Sequence, residues 1–295
     1  MRTNPEFFSI GNAAGTCNSL AHFELMLKSA AATITVGPMS VFPRAQNAGN
    51  NAYQDREGNT INSMGLPNGG RQSLRHLLPE MIQDAADAGK TLALTVPPIK
   101  REDPEILAQD CADLRVPIVE INGGCINVWD DGVQKIPVSY DPKELKRTLG
   151  IFNEIAGRYC RLRIKLSPYL PSVPEEIADA IRPYDIEVVS CNTASAIMFT
   201  DDGRYAIEYG EHIGGYGGKA MKPIALRQML QLRKLLLDHH LIGVSGIDSG
   251  RDVWEFMKVG ANETQIGSAW WFTENARLFG RVLEEYTTLI EKHPL

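Results

Sequence analysis

Eight short apolar runs, separated by longer segments with helical spacing, constrain this chain more than any other feature. The runs fall at 33–37, 61–65, 91–96, 116–122, 163–167, 187–192, 241–246 and 263–268. Runs of this length, bounded by Gly, Pro or Asn, read as strands. Helix-like segments lie between them, at 73–88, 142–158, 222–239, 252–259 and 274–291, with Pro142 and Pro223 where a first helical turn tolerates proline. Strands that alternate with helices imply a parallel sheet with crossover helices. Eight such units close into an α/β fold of the (β/α)8 TIM barrel type. A doubly wound open sheet is the competing architecture, but no early strand–GxGxxG–helix unit supports it. No low-complexity stretch, charge block or Pro/Ser-rich linker divides the chain, so one domain is expected over 1–295.

Charge and cysteine usage narrow the function classes. A net charge of −6 argues against a broad nucleic-acid footprint but allows a local phosphate site made of backbone N–H groups. The five cysteines (Cys17, Cys111, Cys125, Cys160 and Cys191) are odd in number, widely spaced and lack a CxxC pair. That pattern argues against a disulfide framework, an iron–sulfur cluster or structural zinc, and for a reducing, cytoplasmic setting. The histidines show no HxH or HxxxH spacing, so no metal is expected. Residues 1–10 have no signal-peptide core and no apolar run is long enough for a bilayer, so no membrane association is expected.

A barrel enzyme carries its reactive groups at the C-terminal ends of its strands. Chemistry-bearing residues concentrate there. Asn122 and Asn127 flank Cys125 after the run 116–122. Each carboxamide offers a donor and an acceptor, which suits a ring with alternating N–H and C=O groups. Cys125 can exchange a proton if its pKa is brought towards neutrality, although a Gly-rich turn with an inert thiol fits the same residues. Asn62 and Asn192 close two further runs, and either also reads as a turn residue. Lys165 lies within the run 163–167, where an interior position would demand an anion or an electron-rich ring; with the opposite alternation it would face the helices and snorkel. Gly217 and Gly218, the pair Ser245 and Gly246, and the pair Gly267 and Ser268 form small-residue clusters in the last third of the chain. That is the usual phosphate position of a barrel, though tight turns also use such residues.

Together these motifs resemble the class 1 dihydroorotate dehydrogenases, most closely the fumarate-linked class 1A branch. The resemblance rests on the 62–68 stretch Asn-Ser-Met-Gly-Leu-Pro-Asn, the block around Cys125, the 165–169 stretch Lys-Leu-Ser-Pro-Tyr, Asn192 with Thr193, and Gly217-Gly218 followed by Lys222-Pro223. It implies an FMN-dependent homodimer in pyrimidine biosynthesis, oxidising dihydroorotate to orotate with fumarate or another soluble acceptor. Cys125 is then the base that removes the C5 proton, while the C6 hydride passes to the flavin, and Lys165 stabilises the reduced ring. Asn62, Met64, Gly65, Leu66, Asn122, Asn127, Asn192 and Thr193 hold the substrate. Ala14, Gly15, Asn122, Lys165, Gly217, Gly218, Ser245, Gly246, Gly267 and Ser268 hold FMN. One departure bears on the substrate: Val36 stands where the family has a lysine that reaches flavin and carboxylate. A related oxidoreductase acting on another dihydropyrimidine or cyclic amide is therefore the alternative. The substitution of Gly123-Gly124 for Leu-Ser, and of Ile126 for Pro, also departs from the family pattern.

Overall fold

The computed structural model of the protein describes residues 8–130 and 133–295. Eight strands close into a parallel barrel: β1 (Ser9–Asn12), β2 (Thr33–Val36), β3 (Thr91–Val96), β4 (Ile118–Asn122), β5 (Arg161–Lys165), β6 (Glu187–Val189), β7 (Leu241–Val244) and β8 (Glu263–Ile266). Neighbours in sequence are neighbours in the wall, and β8 pairs with β1 through Ser9↔Glu263 to Asn12↔Ile266. Eight helices follow the strands in turn: α1 (Leu20–Leu27), α2 (Leu78–Asp87), α3 (Asp103–Asp113), α4 (Pro142–Ile155), α5 (Glu175–Ile181), α6 (Lys222–Leu235), α7 (Gly250–Lys258) and α8 (Arg277–Lys292). The fold is the expected (β/α)8 barrel.

Local chemistry explains the helix boundaries. The Asp141 carboxylate accepts from the backbone N–H groups of Lys143 and Glu144, and Pro142 supplies the first turn of α4. Leu145, Thr148, Leu149 and Phe152 then recur on one buried face, at the spacing of a helix packed on a sheet. Ser249 and Asp252 cap α7 reciprocally.

Three expectations need correction. The run 61–65 is no barrel strand: Asn59–Asn62 belongs to a separate antiparallel sheet with Ala52–Gln54, Gly214–Gly218 and Ala194–Ala196. The eighth barrel strand is instead β1, whose four residues include Gly11 and Asn12 and so lack a recognisable apolar run. The segment 73–88 is two helices, Gly70–Arg75 and α2, because Pro79 has no N–H to donate and fits only the first turn of a new helix.

The barrel interior is polar on one side. Arg163 on β5 is fully buried; its guanidinium crosses to Glu263 on β8, at 2.9 and 3.2 Å, and also bonds Glu187 on β6. Gln265 on β8 donates across the barrel to Glu120 on β4 at 2.8 Å. Outside the wall, Ile34, Leu92, Leu94, Val119, Ile164 and Phe152 belong to the apolar layer shared with the helices. Replacing Arg163 by Met leaves the buried Glu263 carboxylate without its guanidinium, while Glu187 keeps its ion pair to Arg161, and is expected to lower unfolding free energy by about 3 kcal/mol in urea denaturation.

Candidate active site

The C-terminal mouth of the barrel opens into a cavity of about 1180 Å³, continuous with solvent. Three of its walls are the loops that follow β1, β7 and β8. Asn12 ties β1 to β2, donating to the Thr35 carbonyl and accepting from the Thr35 N–H, both at 2.8 Å. The chain then turns through Ala13, Ala14 and Gly15, with Gly15 in the left-handed region at φ 83°. Ser245 and Gly246 follow β7 at φ 101° and 69°, and Gly267 and Ser268 follow β8. Gly217 and Gly218 enter from the antiparallel sheet, where Gly218 pairs with Asn59; a Cβ at Gly218 would lie 2.3 Å from the Gly58 carbonyl oxygen. Ala14, Gly15, Gly217, Gly218, Ser245, Gly246, Gly267 and Ser268 all line the cavity.

Strands β4 and β5 build the opposite end. Asn122 and Lys165 are register partners and line the cavity together. The loop after Asn122 is stitched to β5: the Gly123 N–H donates to the Lys165 carbonyl, and the Ser139 N–H donates to the Gly123 carbonyl. Ser139 and Ser167 share a hydroxyl–hydroxyl bond of 2.7 Å beneath it. Only glycine fits at 124, where a Cβ would meet Leu166 and Ser167 backbone atoms at 2.7 Å. The Gly-Gly pair thus lets Cys125 approach β5 closely.

Two carboxamide pairs cross this end of the cavity. Asn192 donates to the Asn122 side-chain oxygen at 3.1 Å, and Asn127 donates to that of Asn62 at 3.0 Å. The Thr193 N–H donates to the Asn192 side-chain oxygen at 2.8 Å. Asn127 Oδ1 and Thr95 Oγ1 are buried and have no hydrogen-bond partner among the described residues. The tight turn at Gly65 and Leu66, with φ 81° and 60°, brings Met64, Gly65 and Leu66 to the same space; the Gly65 carbonyl is held by Arg44 Nε at 3.0 Å.

All the site residues singled out above therefore line one cavity: Cys125, Lys165, Asn62, Met64, Gly65, Leu66, Asn122, Asn127, Asn192, Thr193 and the eight small residues of the three loops and the antiparallel sheet. Asn62 arrives on the antiparallel sheet rather than at a barrel strand end. Thr95, Asn18, Cys191 and Trp271 also line the cavity and went unnoticed in the sequence. Thr95 was readable: it continues the alternation of Thr91 and Ala93 towards the C-terminal end of β3.

The two cavity thiols differ. Burial pushes Cys191 up to about 12, and its Sγ donates to the Asn192 carbonyl at 3.2 Å. Burial also raises the Cys125 thiol, but the Asn127 N–H and the charges of Lys165 and Arg44 pull it back. Cys125 also borders a second, mainly apolar cavity of about 400 Å³ that includes Pro97, Ile99 and Val138. Val36 is on the face of β2 opposite Thr35, buried in the outer apolar layer, and does not line the cavity at the barrel mouth. Among the described residues that do, Lys165 is the one cation and there is no carboxylate.

Residues 4–290 match the family of the dihydroorotate dehydrogenases. The chain belongs to that family. It is 33% identical over 298 residues to a Streptococcus pyogenes serotype M3 protein named dihydroorotate dehydrogenase A (fumarate), covering 95% of this chain and 88% of that one. A Streptococcus equi relative of the same name is 30% identical, over 93% and 86% of the two chains, and a Streptococcus pneumoniae one is 28% identical, over 95% and 88%. Family membership makes the chain an oxidoreductase acting on a CH–CH donor. Among the described residues, no helix is long and apolar enough to cross a membrane. Gly124→Ala is expected to destabilise the fold by about 1–3 kcal/mol through overpacking, read as a lower urea midpoint.

Proposed function

We propose that the protein oxidises (S)-dihydroorotate to orotate with FMN, within pyrimidine biosynthesis in the cytoplasm, and passes the electrons to fumarate or another soluble acceptor. The convergence of Cys125, Lys165 and two carboxamide pairs at one end of a cavity, opposite small-residue loops at the other, carries this reading. FMN fits these residues. The loops after β7 and β8, with Gly217 and Gly218, suit its phosphate. Ala14 and Gly15 line the same cavity, and Asn122 and Lys165 offer a donor and a cation to the polar edge of its ring. The orphaned Thr95 hydroxyl and Asn127 oxygen supply hydrogen-bonding capacity that a bound ring would complete.

Bound FMN supplies a hydride acceptor. Cys125, as thiolate, takes the C5 proton of the substrate and becomes a thiol. Asn62, Asn122, Asn127 and Asn192 meet the N–H and C=O groups of the substrate ring, and the 64–66 turn closes its edge. Lys165 keeps a positive charge where negative charge accumulates. Holding the reacting carbon against the base is where these residues gain most of the rate.

One observation favours a second substrate. Val36 lies outside the cavity and Lys165 is the one cation lining it, so a ring carboxylate finds no second cation there among the described residues. A neutral dihydropyrimidine such as dihydrouracil meets the four carboxamides equally well. Two-fold association is also proposed, through the side bearing the exposed Ile197, Phe199 and Tyr205, and sedimentation of the purified protein tests it.

Anaerobic titration decides between the rings. Bleaching of the flavin by dihydroorotate supports the first reading; bleaching by dihydrouracil alone supports the second. Cys125→Ala is expected to slow that bleaching by at least about 100-fold while dithionite still reduces the flavin. Normal reduction by substrate would remove Cys125 from its role. Because the Cys125 thiol is raised and the thiolate is the active form, the rate should climb with pH from about 7 to 9, approaching tenfold per unit.

A further inference from the structure

Two buried charged side chains in the barrel interior form no ion pair among the described residues. Lys165 ends β5 at 5% exposure and forms no ion pair or side-chain hydrogen bond among the described residues. Glu120 on β4 is fully buried; its Oε2 accepts from Gln265, and its Oε1 has no partner. Both side chains lie on the inner face of the wall. Glu120 is reached by Gln265 from the opposite wall, and Lys165 stands two residues beyond Arg163, whose guanidinium crosses the interior to Glu263.

The register brings the two charges near each other. Glu120 is opposite Arg163, and Asn122 is opposite Lys165, so Lys165 stands one inward position above the level of Glu120 on the adjacent strand. Two residues along a strand span roughly 7 Å, within reach of a lysine side chain or of one bridging water. Arg163 is ion-paired with Glu187 and Glu263 and also feels the charge of its register partner Glu120, whereas Lys165 has no ion pair of its own among the described residues. Leaving either charge alone in the interior is costly.

We propose that Glu120 is a positioning residue for Lys165. Its carboxylate, tethered by Gln265, is the counter-charge beneath the ammonium. It sets how much positive charge the cavity presents to a bound ring. The proposal rests on the FMN reading only for its electrochemical consequence. A carboxylate beneath the ring opposes the build-up of negative charge there, so Glu120 holds the flavin potential below the value that Lys165 alone would give.

The holoprotein tests this with Glu120→Gln, which keeps the volume and a carbonyl for Gln265. The flavin reduction potential is expected to move positive, by about 30 mV if reduced flavin gains tenfold in binding over oxidised. Glu120→Asp, which keeps the charge, should return towards the parent value. An unchanged potential in folded Glu120→Gln overturns the proposal, as does an equal shift in both variants. A second measurement needs no flavin. In the apoprotein, the losses in urea midpoint from Glu120→Gln and Lys165→Met should be non-additive, the double variant losing less than the sum. Additive losses overturn the proposal. A protein that takes no FMN defeats the flavin reading alone, because the urea cycle still decides whether Glu120 and Lys165 are coupled.

Discussion

Charge placed inside a barrel has to be answered from another strand, and that constraint organises this structure. Arg163 cannot shed its proton, and its strand has no acid of its own, so β6 and β8 provide Glu187 and Glu263. The resulting tie runs through the interior and braces β5 against β8. Those two strands carry the two ends of the cavity at the barrel mouth: Lys165 at one and the Gly267–Ser268 turn at the other. Apolar packing outside the wall contributes most of the stability, as it does in any barrel. The interior charges fix how one rim faces the other.

The cavity joins two structural systems. Its floor comes from the barrel, with Asn122, Lys165 and Thr95 on consecutive or neighbouring strands. Its cover comes from the antiparallel sheet and the 64–66 turn. The carboxamide pairs mark the seams. Asn192 to Asn122 joins two βα loops of the barrel, whereas Asn127 to Asn62 joins the barrel to the sheet. A ring bound there would exchange some amide–amide contacts for its own, so the site is largely formed before any ligand arrives and keeps its unpaired acceptor, Asn127 Oδ1, buried in readiness.

Much of this was legible from periodicity and composition, and the failures have physical causes. Seven of the eight barrel strands announce themselves as apolar runs because both faces of a parallel strand are covered. β1 does not, since Gly11 and Asn12 spend half of its four residues on a turn and a crosslink to Thr35. The run at 61–65 misled because an apolar stretch says nothing about which sheet receives it. The residues lining the cavity were found through their chemistry and their strand ends, without knowing which of them share a wall. The interior partners of Arg163 were invisible, because Glu187 and Glu263 are distant in sequence and meet it only once the register is set. The orientation of Val36 follows from a two-residue alternation that starts at Thr33, and a motif comparison does not carry that information.

The pairing of Asn59–Asn62 with Gly214–Gly218 has one more consequence. Asn62 stands at the carboxamide end of the cavity, and Gly218, the partner of Asn59, at the end with the small-residue loops. The two are separated by three rungs of one ladder, roughly 10 Å at the rise of an antiparallel strand. The sheet therefore works as a ruler laid along the cavity. Loops elsewhere around the barrel can lengthen or shorten without altering that spacing. One residue gained or lost between 59 and 62 would turn Asn62 away from the cavity and change the spacing of its two ends in the same step.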